Sequence, residues 1–268
     1  MFLFTDFGTV DEFAGILRAV VVREAPDATV IDITHEIPPF DVRAGALLLE
    51  RAVPHLGAGV VVAVVDPGVG TARSAVAVSV SVSSTSGPTH LVGPDNGVLS
   101  YALEALGGAK AAAALAPARW QAEAGATFDG RDVFAPAAAR LWSGVPLEEV
   151  GSPIDPQELQ HLPAPLTIVS QGKILTEVLW VDRFGNVQLS ARKDDVLKAG
   201  VEEDLEVISD TKAHKARAAS SFAVGDDLAL IIDSNARLAL VREQQSAATV
   251  LDVRAGDVLT LRSLGGSS

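Results

Sequence analysis

The sequence predicts an α/β domain followed by a small all-β barrel or sandwich, and three observations carry that prediction. Short apolar runs ending in Asp- and Gly-bearing turns alternate with helical stripes over the first part of the chain. Pro153, Pro156, Pro163 and Pro165 then break regular structure over a polar stretch. Beyond it come short strand-like segments parted by Gly, Asp or Asn turns. The division expected is residues 1–150 as an α/β domain, its mostly parallel sheet covered by helices on both faces, 151–170 as a linker, and 171–268 as a β-barrel domain.

Residues 2 to 5 read as a buried strand closed by Asp6-Phe7-Gly8. Asp11 and Glu12 open a helix whose apolar stripe is Phe13, Ile16, Leu17, Val20 and Val21, with acids where the helix dipole favours them. Ala28 to Ile33 is strand-like, Asp41 to Val53 helical, and Val60 to Val65 a Val-rich strand apolar on both faces. Ala75 to Val82 alternates, His90 to Val92 is a short strand, and Gly97 to Leu106 and Arg131 to Trp142 read as helices. Ser79 to Gly87 is low in complexity and reads as a loose hairpin loop. In the second half, strands are expected at Leu175–Val181, Asn186–Leu189, Leu205–Ile208, Leu228–Ile232, Leu238–Val241 and Val258–Leu261.

Composition narrows the function. With 268 residues, 48% of them hydrophobic, the chain can bury a substantial core. A net charge of −13 argues against a protein that tracks nucleic-acid phosphates. The absence of cysteine excludes disulfides, thiolate nucleophiles and Cys-ligated metal centres. The N-terminus lacks a basic n-region and no apolar run approaches membrane-spanning length, so a cytoplasmic protein without membrane partners is expected. The five histidines show no paired metal spacing, and no metal site is expected. Gly68-Val69-Gly70 fails the dinucleotide fingerprint because Arg73 stands at its third glycine; P-loop and GxSxG motifs are missing too.

Acids and glycines recur at the predicted strand ends: Asp6 with Gly8, Asp66 with Gly68, Asp95 with Asn96. In open α/β sheets those ends form the ligand crevice. For Asp95 and Asn96 an Asx-turn is the favoured reading. Pro67 and two glycines fold the chain tightly enough to bring Arg73 back to Asp66, which is either a site or a surface ion pair worth about 0–1 kcal/mol. In Phe128-Asp129-Gly130-Arg131-Asp132, Asp132 reads as a helix cap and Asp129 as the functional acid. Trp180 to Asn186 is either a hairpin turn or an aromatic face for a flat heterocycle.

Five segments in order, Thr5-Asp6-Phe7-Gly8, Val65 to Gly70, Gly93-Pro94-Asp95-Asn96-Gly97, Phe128 to Ala137 and Asp182-Arg183-Phe184-Gly185-Asn186, together resemble the S-adenosylmethionine hydroxide adenosyltransferase family, relatives of fluorinase and chlorinase. The resemblance implies a large N-terminal α/β domain, a small C-terminal β-barrel, and a trimer binding S-adenosylmethionine between one subunit's N-terminal domain and its neighbour's C-terminal domain. It implies attack of water or hydroxide on ribose C5′, giving adenosine and L-methionine, with no cofactor. Asp66 and Arg73 match family residues that hold the attacking water, and Asp6 would hold the ribose hydroxyls. Phe40 and Phe184 would pack on the ligand, and Asp182 and Asn186 would bind the methionine amine and carboxylate. Asp11, Asn96, Phe128, Ser234 and Arg242 complete the implied substrate-binding set.

Two departures stand out. The usual Phe-His-Gly-Arg-Asp reads Phe128-Asp129-Gly130-Arg131-Asp132, placing Asp129 as the third catalytic group; two acids sharing one Arg are expected to raise one carboxyl pKa. The adenine-edge segment carries Glu243 and Gln245 in place of Asn and Gly. The rival readings are a halide-using adenosyltransferase and a catalytically silent adenosine or S-adenosylmethionine binder. The halide-using branch has a tyrosine in place of Asp66 and an extra loop, whereas Ser79 to Gly93 is short here.

Overall fold

The five residues of β3 (Val60–Val64) are all buried, so the strand needs cover on both faces, and the fold is built around that need. A computed structural model describes residues 1–81, 88–116, 127–201, 203–210, 212–222, 225 and 227–264. The chain divides into two compact units, Met1–Leu162 and Pro163–Ser268. Most of the expected loop at Ser79 to Gly87 lies outside the described residues.

In the first unit β1 (Phe2–Thr5), β2 (Ile31–Thr34), β3, β4 (Ala75–Ser81), β5 (Pro88–Pro94), β6 (Ala111–Leu115) and β7 (Ser152–Ile154) form one sheet in the order β2-β1-β3-β5-β4-β6-β7. The ladders β2-β1-β3-β5 are parallel and the remaining three antiparallel. Val60, Val62 and Val64 pack with Leu17, Val20 and Val21 of α1 (Phe13–Glu24) and with Ala135, Ala138 and Leu141 of α4 (Ala135–Trp142). On the opposite face α2 (Val42–Ala52) approaches so closely that a Cβ on its Gly45 would stand 2.9 Å from Val65 Cγ2. Asp41 caps α2 by accepting from the Ala44 N–H at 2.8 Å. α3 (Ser100–Ala105) packs beside α2, and α5 (Leu147–Val150) precedes β7.

The differences from expectation have local causes. The helix expected from Gly97 begins only at Ser100, because Asn96 Oδ1 accepts the Val98 N–H and holds a turn there. Glu12 stands at the α1 N-cap but makes no side-chain cap. β6 is built from four alanines and a leucine, residues with little intrinsic strand preference, and is held by pairing with β4. Ser152–Ile154, in the stretch read as linker, pairs with β6.

In the second unit β9 (Lys173–Val181), β10 (Val187–Arg192), β14 (Arg237–Val241), β13 (Ala229–Ile232), β12 (Ala213–Ala218), β11 (Asp204–Ile208) and β15 (Val258–Ser263) pair in that cyclic order, and β15 returns to β9 to close a barrel. β8 (Thr167–Ser170) adds to β9. Ile174, Val178, Leu189, Leu205, Leu240 and Leu261 fill the interior. α6 (Lys193–Ala199) and α7 (Ala247–Leu251) were not expected from sequence, nor were β8, which falls in the stretch read as linker, and β12, whose polar, mostly exposed Ala-His-Lys-Ala-Arg-Ala buries only Ala216.

Gly93 in β5 faces the neighbouring strand so closely that a Cβ would meet the Ala63 carbonyl oxygen at 2.2 Å. Since backbone cannot swing aside, Gly93→Ala should lower folding stability by about 1–3 kcal/mol, read as an earlier urea midpoint. An unmoved midpoint would show that β3 and β5 can separate freely.

Candidate active site

Parallel pairing of β1 with β3, with Thr5 opposite Val64, makes the two strands end at the same level. Asp6 and Asp66 therefore leave the sheet side by side at its C-terminal edge, where an open α/β sheet binds ligands. The Asp6 turn is held from beneath. Phe7 N–H donates to Thr5 Oγ1 at 3.2 Å, Thr5 Oγ1 lies 2.8 Å from His35 Nδ1, and Gly8 N–H donates to the His35 carbonyl at 2.7 Å. Gly8 has φ +69°, which a side chain would oppose. Burial, joined by the Arg18 charge and opposed by Glu36, lowers the His35 pKa and favours a neutral ring. Its Nε2 lies 3.3 Å from Asp32 Oδ1, an ion-pair distance without hydrogen-bond alignment.

The Asp66 loop folds back as its composition requires. Thr71 N–H and Oγ1–H both donate to the Gly68 carbonyl, at 3.1 and 2.7 Å, and Gly70 takes φ +77°. Arg73 is thereby returned to Asp66, with Nε donating to Oδ1 at 2.9 Å and Nη2 to Oδ2. The same Nη2 donates to Asp129 Oδ2 at 2.5 Å. Side-chain exposures of 6% for Asp66, 11% for Arg73 and 9% for Asp129 decide against a surface ion pair. Burial works against the Arg73 charge, but the two carboxylates outweigh it and raise the Arg73 pKa further. The guanidinium also lies 5.4 Å from the Phe134 ring centroid.

Asp129 reaches this cluster from the head of a π-helical turn, Gly130–Phe134, that precedes α4. Such turns recur at functional sites. Gly130 is needed there: a Cβ would stand 2.9 Å from Phe128 and 3.0 Å from Phe7. The expected cap by Asp132 is not formed. Its carboxylate instead takes a bidentate pair from Arg131 at 2.6 and 2.7 Å, because the π-turn leaves the side chain beside that guanidinium.

Above Asp66 and Asp129 opens a cleft of about 310 Å³, which Asp6 and Asp11 also line. Phe7, Phe13 and Phe128 form an edge-to-face cluster in its wall, with centroids 5.2 to 6.4 Å apart. Phe7 and Phe13 were missed as site residues: a helical stripe hides Phe13 among core positions, and only the adjacent turn marks Phe7. Phe40, also in the lining, has φ +66°, unusual for a bulky residue, and an exposed side chain; its N–H donates to Asp6 Oδ2 at 2.9 Å. Burial raises the Asp6 pKa, the Phe40 N–H opposes this, and Asp66 adds to it. Asn96 does not line the cleft; its Nδ2 donates to the Val65 carbonyl at 2.8 Å, bracing the strand before Asp66.

The second unit carries its own group. Asp182 accepts from the N–H of Phe184 (2.8 Å) and Asn186 (2.9 Å) on Oδ1 and from Asn186 Nδ2 (2.8 Å) on Oδ2. This turn leaves the Phe184 ring 71% exposed, too much for a packing residue. Phe184, Asn186, Phe222, Arg242, Glu243, Gln244 and Gln245 line a pocket of about 550 Å³. Glu243 Oε2 accepts the Gly225 N–H at 2.8 Å. Phe222 had no local motif to announce it. Ser234 is exposed in the turn after β13 and does not line this pocket.

A family model described as SAM hydroxide adenosyltransferase N-terminal domain matches residues 1–151, and one described as SAM hydroxide adenosyltransferase C-terminal domain matches residues 176–260. The chain is 45% identical over 256 residues to the (R)-S-adenosyl-L-methionine hydrolase of Salinispora arenicola, covering 95% of this chain and 94% of that protein. It is 26% identical over 284 residues to a fluorinase of an Actinoplanes species, covering 96% and 95%. A crystal structure of an uncharacterized conserved protein from Thermotoga maritima superposes with a TM-score of 0.89 at 34% identity, covering 98% of this chain and 100% of that one.

A carboxyl whose pKa is higher in the folded than in the unfolded state contributes stability that is fully present below its unfolded pKa and is lost as pH rises through the raised folded pKa. Asp6→Asn should therefore raise the melting temperature of the unligated protein at neutral pH and flatten that decline, since an Asn oxygen can still accept the Phe40 N–H. Thermal melts across the acid-to-neutral range check this. An equal loss of stability at every pH would mean that the carboxylate's hydrogen bond outweighs its burial.

Proposed function

The chain belongs to the SAM hydroxide adenosyltransferase family, and from that premise we propose that it hydrolyses S-adenosyl-L-methionine by attack of water on ribose C5′. The products are adenosine and L-methionine. Its 45% identity to an (R)-S-adenosyl-L-methionine hydrolase, against 26% to a fluorinase, supports water over halide and the (R)-sulfonium as substrate.

The observation that carries the chemistry is the buried Asp66–Arg73–Asp129 cluster beneath the cleft. The sulfonium is already a good leaving group, so catalysis here is alignment of a water in line with the C5′–S bond together with acceptance of its proton. The oxygen–C5′ bond forms as the C5′–S bond breaks, the electron pair goes to sulfur to give a neutral thioether, and a carboxylate takes the proton. Asp66 is that acceptor in this scheme. Arg73 holds Asp66 and Asp129 in fixed geometry, and its charge stabilises hydroxide character as it develops. Asp6 and Asp11 receive the ribose hydroxyls, and Phe7, Phe13, Phe40 and Phe128 exclude competing water.

The reading extends to an assembly. The methionine and adenine ends are taken by Asp182, Phe184, Asn186 and Arg242 of a neighbouring copy in a homotrimer, in the cytoplasm, with S-adenosyl-L-methionine as substrate and no cofactor. The pocket at Phe184 and Arg242 supports a role in ligand binding. Light scattering should give three times the 27.8 kDa chain mass; a monomer that turns over would overturn the shared site.

Incubation with S-adenosyl-L-methionine in ¹⁸O water should place the label in adenosine, and unlabelled adenosine would exclude direct attack of water. Asp66→Asn should lower kcat by about 10²–10⁴ while substrate affinity, measured by calorimetry, holds within about tenfold. Joint loss of turnover and binding would assign Asp66 to substrate binding.

A further inference from the structure

Resting on the hydrolase reading, we propose that Asp129 is a specificity-determining residue that makes the cleft accept a cationic substrate and a neutral nucleophile and shuts out halide. The charge arrangement carries this. Among the described residues lining the cleft, Asp6, Asp11, Asp66 and Asp129 are acidic and none is Lys, Arg or His. Arg73 is not in that lining; it meets Asp66 and Asp129 from behind. Arg131 is paired with Asp132 and is likewise absent from the lining.

With Asp66 alone, the single charge of Arg73 would leave a neutral pair. Asp129 Oδ2, on the same Nη2 as Asp66 Oδ2, makes the buried group net anionic when both acids are ionised. Two low-exposure carboxylates around one nitrogen repel a small anion strongly, since little water intervenes to screen them. A sulfonium is attracted by the same charge. Water, being neutral, can occupy the space that a halide cannot.

The test compares wild type with Asp129→Asn, a near-isosteric change that removes the charge and leaves one oxygen able to accept the Arg73 Nη2 hydrogen bond. Hydrolysis of S-adenosyl-L-methionine is followed in sodium chloride and in sodium gluconate of equal ionic strength, with 5′-chloro-5′-deoxyadenosine assayed beside adenosine. In that by-product a C5′–Cl bond forms, the C5′–S bond breaks and its electron pair goes to sulfur. Wild type should be indifferent to the anion. Asp129→Asn should be inhibited by chloride at about tenfold lower concentration or form the chlorinated product. Equal chloride tolerance in the two proteins overturns the proposal while leaving hydrolysis intact.

A calorimetric arm is independent of turnover. Wild type should prefer S-adenosyl-L-methionine over the neutral S-adenosyl-L-homocysteine, and Asp129→Asn should narrow that preference by about tenfold. Absence of hydrolysis by wild type with this narrowing intact would remove the hydrolase reading and keep the charge assignment; absence of both removes both. If Asp129→Asn does not fold, Asp129→Ser, which also removes the charge at that position, carries the same comparison with a shift in the same direction.

Discussion

One guanidinium shared by two buried carboxylates is the constraint on which the first unit's site depends. Arg73 passes close by Gly68, where a Cβ would stand 3.2 Å from its Cγ, Gly70 takes a left-handed turn, and Asp129 meets the guanidinium from the head of the π-turn that precedes α4. A buried carboxylate without such a partner would be costly, and removing one partner from a buried pair is worse than never having had it. The sheet supplies the rest: equal strand ends at Thr5 and Val64 bring Asp6 to the same edge.

That charge pattern suits a reaction whose substrate is cationic and whose products are neutral apart from the released proton. In the proposed scheme an Asp–Arg–Asp group that takes a proton from water gives up one negative charge as the substrate gives up its positive one. Preorganised charges of this kind need not reorient as bonds change, which is where fixed dipoles outperform solvent. Phe7, Phe13 and Phe128 keep the surroundings apolar, so the few charges present act at short range.

Much of this was legible in the sequence, and the limits are physical. The Val-rich run at Val60 predicted a strand covered on both faces, and the Gly-bearing turns after Thr5 and Val65 predicted a crevice. The pairing of Asp66 with Arg73 could be posed but not decided, since burial separates a site from a surface pair and burial is a tertiary property. Phe13 was hidden by its helical spacing. Phe222 lies in a segment with no periodic pattern, and the alanines of β6 carry no local preference that names them a strand. A structural role for Asp132 could be read but not its form: the helix opens with a wider turn, and the carboxylate pairs with Arg131 where a cap was expected.

The barrel's closure has a kinetic consequence. β9 meets β10 through the short turn at Asp182 to Asn186, but meets β15, on its other edge, only after most of the second unit has been made. Contacts between near neighbours in sequence form quickly, whereas a ladder between distant segments must first overcome the entropy of closing a long loop. The hairpin presenting Phe184 thus closes a short loop, and the sealing of the ring by β15 against β9 closes a far longer one at greater entropic cost. A ribosome releasing this chain completes the aromatic turn well before the last strand that locks the cylinder around it.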